Sequence, residues 1–176
     1  MLAEAYATLG ELDRNTGRWA TAEAALQRAV ALDSTYATAF QWLGEVYTVT
    51  GRIPEAVTAM ERAARLDSMS PIIIVSLAHA YGLAGRREDA DRAVNRALAM
   101  APDLGAVYMF AGSVSLSAGR GDEAAARFER AMALSPGYTP VQGLVCFGQS
   151  QRGDHSAPSC RGLEPGAGMS WTAVAL

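Results

Sequence analysis

The sequence predicts an all-α protein, an α-solenoid in which antiparallel helix hairpins stack into a right-handed superhelix. Three observations lead to this prediction. The same residues recur every 34 positions, apolar residues follow helical spacing within each copy, and a glycine separates the two helices of each copy. A period of roughly 20 to 50 residues is typical of solenoids, because one short unit cannot bury its own apolar face and must stack on the next.

The repeat is recognised from five positions that stay in step along the chain without a gap. A glycine and the arginine after it are followed by an alanine, a second arginine and a second alanine. The five series are Gly17, Gly51, Gly85 and Gly119; Arg18, Arg52, Arg86 and Arg120; Ala22, Ala56, Ala90 and Ala124; Arg28, Arg62, Arg96 and Arg130; and Ala29, Ala63, Ala97 and Ala131. We therefore predict four repeats within residues 3–138, with the bounds 3–36, 37–70, 71–104 and 105–138.

Each repeat is predicted to fold as a helical hairpin. In the second repeat the apolar residues follow two helical series, Phe40, Leu43, Gly44 and Tyr47 and then Ala56, Met60, Ala63 and Ala64. Gly51 between the two series can adopt the left-handed conformation that ends the first helix. Pro54 falls in the first turn of the second helix, where a missing N–H group costs nothing. A helix, a glycine turn and a second helix are therefore expected in every repeat.

Small side chains predict how the hairpins stack. Gly44 lies on the first helix of the second repeat, and Ala56 and Ala63 lie on the second helix. We expect these residues to leave room for another helix axis to approach closely. Stability would then come mainly from the interfaces between neighbouring hairpins.

These residues resemble the pattern of the tetratricopeptide repeat, a 34-residue hairpin with an aromatic residue, a Leu-Gly pair, a tyrosine, an alanine, a phenylalanine and a closing proline. In the second repeat the matching residues are Phe40, Leu43, Gly44, Tyr47, Ala56 and Met60, with Ser68 in place of the proline. The other repeats match through Tyr6, Leu9, Gly10, Ala22 and Leu26; through Ile74, Leu77, Ala78, Tyr81, Ala90, Val94 and Pro102; and through Tyr108, Ala111, Gly112, Ala124, Phe128 and Pro136. The resemblance covers about residues 3–138 and implies a scaffold for protein–protein interaction.

The outer repeats depart from the family pattern at one core position. Asp13 and Ser115 stand where a buried tyrosine is expected to pack, whereas Tyr47 and Tyr81 keep the tyrosine. We expect the first and fourth repeats to be packed less tightly than the middle pair.

The resemblance also implies a binding surface, because in this family the first helices line a concave groove that takes an extended peptide or a helix of a partner protein. The groove residues predicted in this way are Glu4, Glu11, Asn15, Gln41, Glu45, Ile72, Val75, His79, Leu83, Met109 and Leu116. The first two repeats contribute polar and acidic residues, and the last two contribute mostly apolar ones. We expect a partner segment with basic residues near the first half and aliphatic or aromatic residues near the second.

Other interpretations of this groove stay open. Its apolar part would also be covered if the tail, a missing fifth repeat or a second copy of the chain packed there, and the last case would give a homo-oligomer. Alternatively, the chain is a fragment, the regulatory portion of a larger bacterial kinase, cyclase or winged-helix regulator. No polar capping segment precedes the first repeat, and arrays normally need such caps.

Composition excludes several classes of partner. The net charge is -3, and the basic residues are scattered, so nucleic acid is not an expected partner. All 15 basic residues are arginine, which we attribute to codon bias. The uncharged stretches are shorter than the roughly 20 residues of a membrane span, and the N-terminus does not resemble a secretory signal. The two cysteines form no disulfide framework, so we expect a reduced compartment and a cytoplasmic protein without membrane contact.

The C-terminal part of the sequence loses the repeat. Residues 139–149 are predicted to form a partial fifth repeat or a capping helix. Residues 150–176 are rich in glycine, serine and proline and show no period, so a disordered tail is expected.

Catalysis, metal binding and cofactor binding find no support in the sequence. His79 and Glu45 would lie about one repeat apart, but no nucleophile or second base accompanies them, so we predict that the protein is not an enzyme. His155 and Cys160 are too isolated to hold a metal ion, and no cofactor is expected. The clamp that some family members use for the C-terminal carboxylate of a chaperone peptide needs positive charges that the predicted groove residues do not supply.

Overall fold

The computed structural model describes residues 2–135, which form eight α-helices and no strand within that range. The helices are α1 (Leu2–Asn15), α2 (Trp19–Leu32), α3 (Ala37–Val49), α4 (Ile53–Leu66), α5 (Pro71–Leu83), α6 (Arg87–Met100), α7 (Gly105–Ser117) and α8 (Gly121–Leu134). The all-α prediction is therefore confirmed. The predictions for residues 139–149 and 150–176 lie outside the described residues.

A glycine with left-handed backbone conformation joins the two helices of each hairpin. Gly17, Gly51, Gly85 and Gly119 have φ angles of 74°, 76°, 73° and 75°. After Gly51 the N–H of Arg52 donates to the carbonyl of Tyr47 at 2.8 Å, and the N–H of Gly51 donates to Thr48 at 3.1 Å. These two bonds satisfy carbonyls that the end of α3 would otherwise leave unpaired. The turn that the sequence predicted at Gly51 is thus found.

The glycines of the predicted Leu-Gly position act inside a hairpin, as Gly10 and Gly44 show. A Cβ atom placed on Gly44 would lie 2.8 Å from Cγ of Met60, which belongs to the second helix of the same repeat. At Gly10 the corresponding atom would lie 2.5 Å from Cγ of Leu26. The prediction that Gly44 makes room for the next hairpin was wrong, because its close neighbour is its own partner helix.

Neighbouring hairpins share their apolar cores. One buried cluster combines Ala22 and Leu26 of α2 with Leu43 and Tyr47 of α3 and with Ala56 of α4. Another joins α5 and α6 to α7, and a third joins Met60 of α4 to α5. No hairpin covers its apolar residues alone, as expected for an array in which each unit contacts its neighbours.

The packing of the helices gives the array an inner side. Each first helix contacts the next first helix, in the order α1, α3, α5 and α7, whereas the second helices make at most marginal contact with one another. The array is therefore narrower on the side of the first helices. We call the surface that α1, α3, α5 and α7 form on this side the inner face. At the last junction α7 packs more on α5 than on α6, whereas α3 and α5 pack more on the preceding second helix.

The repeated arginines link successive repeats. The guanidinium of Arg62 donates to the carbonyl of Ser34 at 3.0 Å, and that of Arg96 donates to the carbonyl of Ser68 at 2.6 Å. Arg52 pairs with Glu23 of the preceding repeat at 2.7 Å, and Arg120 pairs with Asp91 of the preceding repeat. These arginines have a structural role that our attribution of the arginine content to codon bias did not foresee.

Polar contacts occupy the two outer positions where the tyrosine is missing. Asp13 is buried and accepts from Nε and Nη2 of Arg18 at 3.0 and 2.6 Å. Ser115 is also buried, donates to the carbonyl of Ala111 at 3.1 Å and accepts from Arg127. The hydroxyl of Thr21, followed by the guanidinium of Arg18, holds the pKa of Asp13 below its usual value. Both positions are therefore satisfied polar sites.

Candidate functional site

Where α1 and α3 meet, the inner face carries an ion pair that is supported by a hydrogen bond. Nη1 of Arg14 on α1 lies 2.8 Å from Oε2 of Glu45 on α3. Nε2 of Gln41, one turn earlier on α3, donates to Oε1 of Glu45 at 3.0 Å. Only 24% of the Arg14 side chain and 17% of the Glu45 side chain are exposed, so the pair is largely shielded from water.

Burial is the main influence on the protonation of Glu45. It raises the pKa of this carboxyl above its ordinary value, and the nearby charge of Glu11 acts in the same direction. The charge of Arg14 and the hydrogen bond from Gln41 oppose that rise in pKa. Arg14 therefore compensates a carboxylate that would be costly to bury alone.

Arg14 was missed by the sequence interpretation, which placed Asn15 in the groove. Asn15 is exposed, whereas Arg14 lies against Glu45. The 34-residue step could have found it, because Arg14 lies one period before Thr48, which follows Glu45 by three residues on the same helix. Arg14 also changes the charge expected for the first half, since one of its carboxylates already has a positive partner.

Ser76 on α5 lies beside this pair. Its hydroxyl faces the carboxylate and has a small lowering effect on the pKa of Glu45. The hydroxyl oxygen is nevertheless buried without a hydrogen bond of normal geometry to any residue in the range 2–135. A buried hydroxyl without a partner is unusual in a native protein.

The second part of the inner face centres on His79, one turn after Ser76 on α5. Its imidazole lies against the ring of Phe110 on α7, with the ring centroids 6.1 Å apart and the planes at 58°. Protein surrounds the ring on nearly every side, although part of its surface stays accessible. This burial lowers the pKa of His79 from 6.5 to about 4, so the imidazole is uncharged at neutral pH.

The remaining predicted groove residues differ in exposure. Glu4 is exposed, and Glu11, Ile72, Leu83, Met109 and Leu116 are partly exposed. Gln41 and Val75 are buried, and Val75 belongs to the core shared by α5, α6 and α7. A ligand on the inner face would therefore meet the partly exposed residues first.

A second concave surface lies on another face of α3, where the sequence interpretation named no site. A cavity of about 550 Å³ is lined there by Phe40, Leu43, Tyr47, Pro54, Glu55, Thr58, Ala59, Arg62 and Arg65. Arg62, which also donates to the carbonyl of Ser34, lies over the ring of Phe40. Part of this cavity wall is thus made by an arginine that already links two repeats.

Two further features are absent from the part of the chain between residue 2 and residue 135. No group of three or more histidine, cysteine, aspartate and glutamate side chains there could hold a metal ion. None of the helices in that part combines the length and the apolar character that crossing a membrane requires.

Comparison with known families identifies the repeat. The family model for the tetratricopeptide repeat (TPR) matches residues 7–71 and again residues 75–139. The chain belongs to the TPR family. Its fold and family are those of a protein-interaction scaffold. No curated protein matches the chain.

Solved TPR structures share the fold at low sequence identity. A thermophilic TPR protein of Thermus thermophilus, TTC0263, is 21% identical with a TM-score of 0.71, and the match covers 84% of this chain and 81% of that one. MamA is also 21% identical, with a TM-score of 0.59 over 88% of this chain and 84% of its own. YrrB, described as a TPR protein with an unusual peptide-binding site, is 21% identical with a TM-score of 0.56 over 86% and 78%.

Proposed function

We propose that this TPR chain binds a peptide or a helix of a partner protein on its inner face, mainly along α5 and α7. The observation that carries the proposal is a set of partly exposed apolar side chains that share this face. These are Ile72, Leu83, Met109, Phe110 and Leu116. Four of them also pack against core clusters, Ile72 and Phe110 against that of α5 to α7 and Met109 and Leu116 against that of α8, so each is only partly covered. An apolar surface that the fold leaves partly uncovered is typical of an interaction site.

The polar half supports a smaller contribution from charge. Glu11 is partly exposed and makes no ion pair among residues 2–135, whereas Glu45 is paired with Arg14. A basic residue of the partner would therefore be attracted to Glu11 and not to Glu45. The partner that fits this face best is mainly apolar, with at most one basic residue near α1.

Selection of random linear peptides on the full chain tests the proposal. We expect the peptides selected by the wild type to bind Met109→Glu at least about tenfold more weakly, because a carboxylate in the apolar surface would have to be desolvated. Leu32→Glu is the matched control, since Leu32 is an exposed leucine on a second helix. It should bind the same peptides as the wild type does.

Equal binding by wild type and Met109→Glu would show that the peptides attach elsewhere, and thermal unfolding of both variants checks that each is folded. If the wild type selects no peptide and its mass by light scattering rises with concentration, a second copy of the chain occupies this face instead.

A further inference from the structure

His79 occupies the centre of the inner face without a hydrogen-bond partner among residues 2–135. No residue in the range 2–135 donates to its ring or accepts from it, and neither ring nitrogen is fully buried. An uncharged imidazole has one N–H donor and one unprotonated nitrogen that accepts. No protein group in the range 2–135 pairs with either ring nitrogen, and water has limited access to this part of the surface.

The surroundings of His79 disfavour a charged ligand. From α7 its ring meets Phe110, and one turn earlier on α5 stands Ser76, whose hydroxyl makes no hydrogen bond of normal geometry within residues 2–135. Burial is the cause of the lowered pKa of His79, with no contribution from a neighbouring charge. An ammonium or guanidinium group would therefore find no opposite charge at the ring, and a carboxylate would find no cation there.

An amide fits this environment. A primary amide can accept from the imidazole N–H and can also donate to the unprotonated nitrogen, so it suits either ring nitrogen. A carboxylate can only accept and an ammonium can only donate. The flat amide and the methylene groups beside it can also pack against the ring of Phe110.

We propose that His79 binds an uncharged amide, the side chain of an asparagine or glutamine in the partner segment, with Phe110 packed against the same side chain. This inference rests on the proposed function and adds to it the chemistry of one position in the partner. Neighbouring positions of the segment contact Ile72 and Met109 and are expected to be apolar.

The test repeats the selection of random linear peptides near neutral pH on the full-length wild type and on His79→Leu. Peptides from the wild type should be enriched in asparagine or glutamine at one position between apolar residues. Peptides from His79→Leu should keep the apolar residues and lose the amide. His79→Gln, which keeps a donor and an acceptor, should retain part of the enrichment.

Calorimetry then separates recognition from a structural effect. A selected glutamine-containing peptide and its glutamine-to-methionine analogue are titrated into the wild type and into His79→Leu. On the wild type the analogue should bind about tenfold more weakly, the effect of losing one hydrogen bond in a shielded site. On His79→Leu the two peptides should bind equally.

Two results overturn the inference while leaving the proposed function intact. One is enrichment of lysine, arginine, aspartate, glutamate, serine or threonine in place of the amide, and the other is an unchanged preference for the amide on His79→Leu. If no peptide binds the wild type, the proposed function itself fails.

Discussion

Two equivalent contacts on the inner face have opposite chemistry. Glu45 faces Ser76, and 34 residues later His79 faces Phe110. At the second contact, other residues occupy the positions equivalent to the partners of Glu45. Thr48 replaces Arg14, and its hydroxyl donates to the carbonyl of Gly44 on its own helix. The repeat thus fixes where the side chains stand, and substitution at a few positions decides whether the polar groups of a contact pair with one another.

The largest expected effect breaks the satisfied contact. Arg14→Met leaves the Glu45 carboxylate shielded without its positive partner, so we expect a loss of about 2 to 3 kcal/mol in the free energy of unfolding measured with urea. Arg92→Met is the matched control, because Arg92 is 70% exposed in its pair with Asp89 and should cost less than about 0.5 kcal/mol. Adding Glu45→Gln to Arg14→Met should recover most of the loss. Equal losses from the two arginine variants would contradict the claim that Arg14 compensates a shielded carboxylate.

The two contacts should make the free energy of unfolding depend on pH in different ways. The folded protein holds His79 uncharged, with its pKa lowered from 6.5 to about 4, so the unfolded chain binds more protons between these values. Stability that is present above pH 6.5 should therefore be lost as the pH falls towards 4, by about 3 kcal/mol. His79→Gln should lack this loss.

Glu45 should behave in the opposite sense in the same experiment. Burial raises its pKa above the ordinary 4.5, so the folded state binds more protons just above that pH. Stability should therefore fall as the pH rises through the raised pKa, and Glu45→Gln should remove this fall. Urea unfolding across the range measures both slopes, and slopes of the same sign would contradict the assignment.

The smallest expected effect concerns two buried serines. Ser76→Ala removes a hydroxyl that makes no hydrogen bond of normal geometry within residues 2–135, so unfolding free energy should stay unchanged or rise by up to about 1 kcal/mol. Ser115→Ala removes a hydroxyl that donates to Ala111 and accepts from Arg127, so it should cost about 1 kcal/mol or more. Thermal unfolding of both variants gives the comparison. A clear loss for Ser76→Ala would show that its hydroxyl has a partner after all.

The sequence predicted the backbone of this array better than its site. Glycine is the residue that takes a positive φ at no steric cost, so Gly51 could be placed at the end of a helix from the sequence alone. Periodic apolar residues likewise predicted the helices. Both are local properties that need no knowledge of neighbouring repeats.

The pairing across repeats could not be predicted in the same way. Whether Arg14 reaches Glu45 depends on how α1 and α3 are set against each other, and a shift of one residue turns the side chain by about 100° around the helix. The buried state of Val75 depends on α6 and α7 as well as on its own helix. The neutral state of His79 follows from the amount of protein around it, which no short motif records.

Arg62 and Arg96 each donate a hydrogen bond to the segment that connects their repeat to the preceding one, which suggests how such an array could gain repeats. Each guanidinium holds a main-chain carbonyl, at Ser34 and at Ser68, and every amino acid supplies that oxygen. If a duplicated repeat were inserted between two existing ones, its arginine would meet a main-chain carbonyl at the same position, whatever side chain stood there. Gene duplication could therefore extend the array without a matching change in the connecting segments.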